Sequence, residues 1–183
     1  NIRPADQKWS CMMTIPRELN IKDGVVVQKP VRELENYRKN MVKYKDIKVE
    51  NEMSLAGIEG RTLDLIVEVD AKDSKEFIIT LAKDAKNKTL LIYNPVNNIL
   101  TFDRSYSGKL KNMVHKRDMK VKKEGTNIKL RILLDRYSVE VFVNDGEQAM
   151  TSTFYTSLSA KDITFESIGE SIINIEKYDI AIL

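Results

Sequence analysis

An all-β fold is predicted here: an antiparallel β-sandwich of two packed sheets in the concanavalin/lectin-like manner, preceded by a short linker helix. Three observations support that reading. Short runs of alternating apolar residues recur roughly every ten residues with turn residues between them, the spacing of a sandwich. The stretch Leu134 to Tyr155 reads as a β-hairpin, with Val139, Val141 and Val143 at period two and a turn at Asn144-Asp145-Gly146. Hydrophobic residues make up 42% of the chain and charged residues 31%, the balance of a globular domain with a core, not of a disordered chain.

The first 29 residues read as the tail of something larger. Trp9 and Met12-Met13 precede Ile15-Pro16, a turn at Asn20 to Gly24 comes next, and Val25-Val26-Val27 makes a short strand. So few apolar residues cannot form a core, so the segment must pack on a partner. Pro30 suits the first position of a helix. Val31, Leu34, Tyr37, Met41 and Tyr44 then recur at steps of three or four, predicting an amphipathic linker helix over residues 30–46. Glu35 lies four residues before Lys39, the favourable order for a helical pair.

Residues 47–183 carry the sandwich pattern. Leu63, Leu65, Val67 and Val69 share one face, and Asp64, Glu68 and Asp70 are read as solubilising the other. Separate strands are expected at Glu76–Lys83, Lys88–Tyr93 and Ile99–Arg104, then one with Ile128, Leu130, Ile132 and Leu134 on one face. Ile163–Ile168 and a strand from about Ile172 to the end complete the set. Asp103 and Arg104 point to opposite faces, so each should meet a charge on a neighbouring strand. No repeat of solenoid or propeller length is visible.

Ligand supply and charge exclude several functions. Cys11 is the only cysteine and His115 the only histidine, which rules out an internal disulfide and leaves too few ligands for a metal site or a Cys-His nucleophile pair. No metal or cofactor is expected, and Cys11 is read as a buried or half-buried structural residue suited to a reducing, cytoplasmic compartment. No apolar run is long enough for a membrane span. The net charge of +3 is concentrated in residues 1–50, which hold 11 Lys/Arg against 7 Asp/Glu, so the body is close to neutral. That argues against a nucleic-acid-binding domain. The seven Lys/Arg between Lys109 and Lys123 have no aromatics among them and read as an edge strand guarded by lysines. Tyr106 and Tyr137 sit at turn-like positions where an exposed ring could stack on a sugar. Tyr93, Phe102, Phe142 and Phe154 read as core, and Glu140, between Val139 and Val141, needs a basic partner or solvent.

Asp135 with Ser138-Val139-Glu140-Val141-Phe142-Val143-Asn144-Asp145-Gly146-Glu147 resembles a signature in the C-terminal β-sandwich of glycoside hydrolase family 32. That family includes invertases, sucrose-6-phosphate hydrolases, levanases and inulinases. Two more blocks agree in order: Met13-Thr14-Ile15-Pro16-Arg17-Glu18-Leu19 resembles the segment closing the family's catalytic domain, and Leu100-Thr101-Phe102-Asp103-Arg104-Ser105 a sandwich strand. The resemblance implies that residues 1–29 are the end of a catalytic β-propeller, 30–46 a linker and 47–183 the sandwich. Trp9, Ile15 and Leu19 would then lie at the interdomain seam.

The family's catalytic blocks have no counterpart here. Trp9 is followed by Ser10-Cys11 instead of Asn-Asp-Pro, Arg117-Asp118 is followed by Met119 instead of Pro, and Cys11 is preceded by Ser10 instead of Glu. No catalytic residue is therefore assigned. The resemblance implies an upstream propeller as partner, a carbohydrate substrate reached through the whole enzyme, and a sandwich surface open to homo-oligomer formation. The alternative is a stand-alone carbohydrate-binding sandwich using Tyr106 and Tyr137.

Overall fold

A computed structural model describes residues 8, 11–109, 114–122 and 126–181. It begins with a hairpin of β1 (Arg17–Lys22) and β2 (Val25–Pro30), paired from Arg17–Pro30 to Lys22–Val25. A 3-10 turn over Arg32–Tyr37 leads into β3 (Arg38–Val49). The remaining strands are β4 (Leu63–Lys83), β5 (Lys88–Asn94), β6 (Ile99–Tyr106), β7 (Lys116–Lys120), β8 (Asn127–Leu134), β9 (Ser138–Val143), β10 (Gln148–Thr153) and β11 (Asp162–Ile180). All the pairings between these strands are antiparallel.

Two long strands build both layers. The first half of β4, Leu63 to Asp70, pairs with β8 on one side and with the end of β11 on the other. Its second half pairs with β5 and with the start of β11. Layer 1 therefore runs β10-β9-β8-β4-β11-β3, and layer 2 runs β11-β4-β5-β6-β7. The sequence suggests separate strands at Glu76–Lys83 and Ile163–Ile168, but each is the second or first half of one of these long strands. Register shifts at Ile168/Gly169 and Glu170/Ile172 mark the bend in β11. Gly169 has φ of 103°, and a Cβ there would lie 2.3 Å from the Asp73 carbonyl oxygen, so the bend needs glycine. Buried Ser74, Ser167 and Ser171 satisfy one another there, with Oγ–Oγ distances of 2.9 and 3.0 Å.

The core lies between the layers. Leu63, Leu65, Val67 and Val69 face Phe77, Ile79, Leu81, Leu91, Tyr93, Leu100 and Phe102 within one buried cluster. Each such side chain contributes about 1.5–3 kcal/mol by leaving water. The inward faces read from alternation hold in β8, in β9 and in the first part of β4, where Leu63, Leu65, Val67 and Val69 all lie in the core. Met119 of β7, the edge strand of layer 2, packs on the same core, while residues 110–113 and 123–125 of the lysine-rich stretch lie outside the described residues.

The linker helix over 30–46 shrinks to the 3-10 turn, and Pro30 ends a strand instead of starting a helix. Residues 38–49 are a strand whose alternation is concealed by two bulges. Opposite Asn174, β3 carries Lys45 and Asp46; opposite Tyr178 it carries Asn40 and Met41. Asp46 and Asn40 have φ of 52° and 51°. Each extra residue reverses the face on which the next residues lie, so Val42 and Tyr44 pack toward the core and, past the bulge, so do Ile47 and Val49. Met41, part of the supposed helical stripe, is 60% exposed.

Candidate functional site

The outer face of layer 1, away from the core, would ordinarily be wet. By register it carries the adjacent row Thr151, Glu140, Leu133, Asp64 and Tyr178, and beside it Ala149, Phe142, Arg131, Ile66 and Glu176. Yet Asp64, Leu133, Glu140 and Phe142 are all buried, because the polypeptide from residue 11 to Arg38 crosses this face.

Glu140 receives the first part of that segment. Its Oε1 accepts the backbone N–H of Ile15 at 2.6 Å, and its Oε2 accepts Nη2 of Arg17 at 2.5 Å. Arg17 also donates to Thr151 Oγ1 at 2.9 Å and Gln28 Oε1 at 2.5 Å, and its guanidinium lies 5.0 Å from the centre of the Phe142 ring. A carboxylate only 4% exposed is tolerable because both oxygens have charged or polar donors. Its partner comes from 123 residues earlier in the chain, not from a neighbouring strand.

Asp64, which alternation alone assigned to solvent, is fully buried. Arg38 donates to its Oδ2 through Nε at 2.9 Å and Nη2 at 2.7 Å, and Arg131 through Nη2 at 2.8 Å, with Arg131 Nε on Oδ1 at 3.1 Å. Glu35 closes the cluster, 3.6 Å from Arg38 and 3.3 Å from Arg131. Two acids and two arginines balance, so Glu35 serves this cluster and not a helical pair with Lys39. The Arg38 guanidinium also stacks 4.4 Å over the Tyr178 ring.

Between these clusters, β2 lies against the 3-10 turn at Asn144–Gly146. Three successive residues there have positive φ: 48° at Asn144, 59° at Asp145 and 95° at Gly146. A Cβ on Gly146 would sit 2.2 Å from the Gln28 carbonyl oxygen. The glycine is thus needed twice, for the turn and for the close passage of the overlying strand. Glu18 and Arg32 add an exposed bidentate pair at 2.8 and 2.9 Å, in which the Arg32 guanidinium lowers the Glu18 carboxyl to about 2. An open cleft of about 500 Å³ is lined by Lys43, Ile66, Glu68, Lys129, Asn174 and Glu176 of β3, β4, β8 and β11.

Of the seam residues expected from sequence, Ile15 is half-buried on Glu140, Leu19 is 68% exposed, and Trp9 lies outside the described residues. Tyr137 is 8% exposed with its ring 6.2 Å from that of Tyr155, so it offers no open face to a sugar. Tyr106 is 61% exposed, with Lys88 Nζ 6.0 Å from its ring centre. The two are not brought together as a platform. Cys11 is exposed, where the sequence suggested burial. Asp103 meets Lys116 of the neighbouring strand at 3.0 Å as expected, whereas Arg104 donates to the carbonyls of Val114 and Thr153.

Sequence reading missed Arg17, Asp64, Arg38 and Arg131 as a set. A signal was present: Ile66 and Leu133 are apolar at positions that alternation assigns to water, and Phe142, read as core from sequence, is buried on that same outer face instead of in the interlayer core, which marks the face as covered.

Fold and seam together define a class: an antiparallel sandwich whose outer face is sealed by the polypeptide leading into it. The chain belongs to the family described as glycosyl hydrolases family 32 C terminal, whose model matches residues 33–181. It is 31% identical over 173 residues to a sucrose-6-phosphate hydrolase of Staphylococcus xylosus, covering 94% of this chain and 35% of that protein. It is 34% identical over 167 residues to a levanase of Bacillus subtilis, covering 85% of this chain and 25% of that one. Its fold superposes on an exo-inulinase from Aspergillus awamori with a TM-score of 0.79 at 23% identity, covering 92% of this chain and 35% of the inulinase. The chain thus spans about a quarter to a third of the length of these relatives.

Proposed function

We propose that this chain is the C-terminal sandwich of a β-fructofuranosidase that hydrolyses sucrose, sucrose 6-phosphate or a fructan through a catalytic domain preceding it. One observation carries the reading: the two relatives match 94% and 85% of this chain but only 35% and 25% of their own length. In this role the sandwich stabilises and orients the catalytic domain and contributes no reacting group.

The hairpin supplies the contact surface. By register Leu19, Ile21 and Val26 share one of its faces, and they are 68%, 78% and 61% exposed. Apolar side chains clustered on a two-stranded ribbon belong against another surface, and residues 1–29 then close the upstream domain. The single exposed cysteine agrees with a cytoplasmic enzyme.

The test is to clone the reading frame together with its upstream sequence and assay fructose release from sucrose, sucrose 6-phosphate and levan. Release by the longer product and none by residues 1–183 is expected. An absence of upstream coding sequence, or a longer product inert on all three sugars, would overturn the reading.

A further inference from the structure

We propose that residues 11–30 form a strap that lifts from the sandwich as a unit, and that Glu140 is the positioning residue that holds it in register. The strap has little apolar hold: no residue of β1 is buried, only Val27 and Pro30 of β2 are, and the 3-10 turn after it has none. Polar contacts to the sandwich therefore decide where it lies.

Glu140 stands on β9, paired on both sides between β8 and β10 in layer 1. Both of its oxygens are engaged by the strap, one by the Ile15 N–H and one by Arg17, so it fixes position along the strap as well as distance. The strap's far end is set by Asp64 holding Arg38, already within β3 and paired to β11. The hinge consequently falls at the 3-10 turn Arg32–Tyr37, and the moving part is the hairpin with its exposed Leu19, Ile21 and Val26. Lifting it lets water reach Glu140 and Arg17 while leaving the interlayer core intact. Low-energy local opening of this kind is expected where few buried apolar contacts resist it.

This inference rests on the proposed function only in naming what the strap would orient. Its test is amide hydrogen exchange on the 183-residue chain, comparing the wild type with Glu140→Gln and Arg17→Ala. Amides of residues 17–30 should exchange about tenfold faster or more in both variants, with those of β4 and β8 unchanged. Unchanged hairpin rates, or an equal acceleration in β4 and β8, would overturn the latch. Should Glu140→Gln fail to fold, Arg17→Ala removes the same contact from the strap side, outside the core. No sugar enters this measurement, so an inert longer enzyme would refute the proposed activity and leave the latch standing.

Discussion

Asp64 shows how burial can invert the meaning of a residue. On a strand with Leu63 and Leu65 facing inward it reads as a solvated carboxylate, yet it is covered completely and held by four guanidinium N–H groups from Arg38 and Arg131. Removing one side of a buried charge cluster leaves the other desolvated and unpaired, which costs more than the cluster itself contributes. Asp64→Ala should therefore lower stability by about 3 kcal/mol, read as a lower urea midpoint at unchanged slope. Glu68, further along the same face of β4, is exposed and should tolerate alanine within about 0.5 kcal/mol. The two positions differ in the polypeptide overhead, information carried neither by Asp64 nor by its neighbours in sequence.

Among the elements, β3 was the least legible. Its apolar residues fit a helical stripe because two bulges place Val42 and Tyr44 in one alternation and Ile47 and Val49 in the other. A bulge opposite Asn174 is pinned by that side chain, whose Oδ1 accepts the Asp46 N–H at 2.9 Å. The two readings make opposite forecasts. Met41→Lys should be silent within about 0.5 kcal/mol, since Met41 points to water, and Ile47→Ala should cost about 1–2 kcal/mol, less than a fully buried site would. Chemical denaturation of the two variants decides between helix and bulged strand. The strands β8 and β9 and the first part of β4, Leu63 to Ala71, were legible because nothing interrupts their period of two, whereas register shifts against β11 break it further along β4.

For the whole molecule, acid is the condition that should find the weak points. Burial by itself would raise the Asp103 carboxyl, but the Ser105 hydrogen bonds and the Lys116 ammonium outweigh it and hold the carboxyl below its ordinary value. Lys83, with Thr164, does the same for Glu52, and Lys43 for Glu176. Carboxylates depressed in the folded state contribute stability that is present above their unfolded pKa of about 4 and is lost as pH falls through their lower folded values. Urea midpoints should accordingly hold steady from neutral pH down to about 5 and fall below about 4. The exposed hairpin makes a second forecast at this scale. Leu19→Asp with Ile21→Asp should leave the 183-residue chain within about 0.5 kcal/mol of wild type. The same pair should lower the melting temperature of a longer product in which that face is covered; an unchanged melting temperature there would place the contact elsewhere.

From sequence alone came the all-β class, the hairpin around Asn144-Asp145-Gly146, the inward faces of the long strands and the family. These rest on local periodicity and on turn residues whose backbone preferences do not depend on distant parts of the chain. Two short blocks, Ile15-Pro16-Arg17 and Val139-Glu140-Val141, were legible as motifs but not as partners. Only the tertiary structure joined them, placed Arg38 and Arg131 on Asp64, fused four apparent strands into β4 and β11, and buried the face that alternation assigned to water. The physical reason is that burial and charge pairing are set by whichever segment passes overhead. That segment is remote in sequence, so no pattern within a single strand can report it.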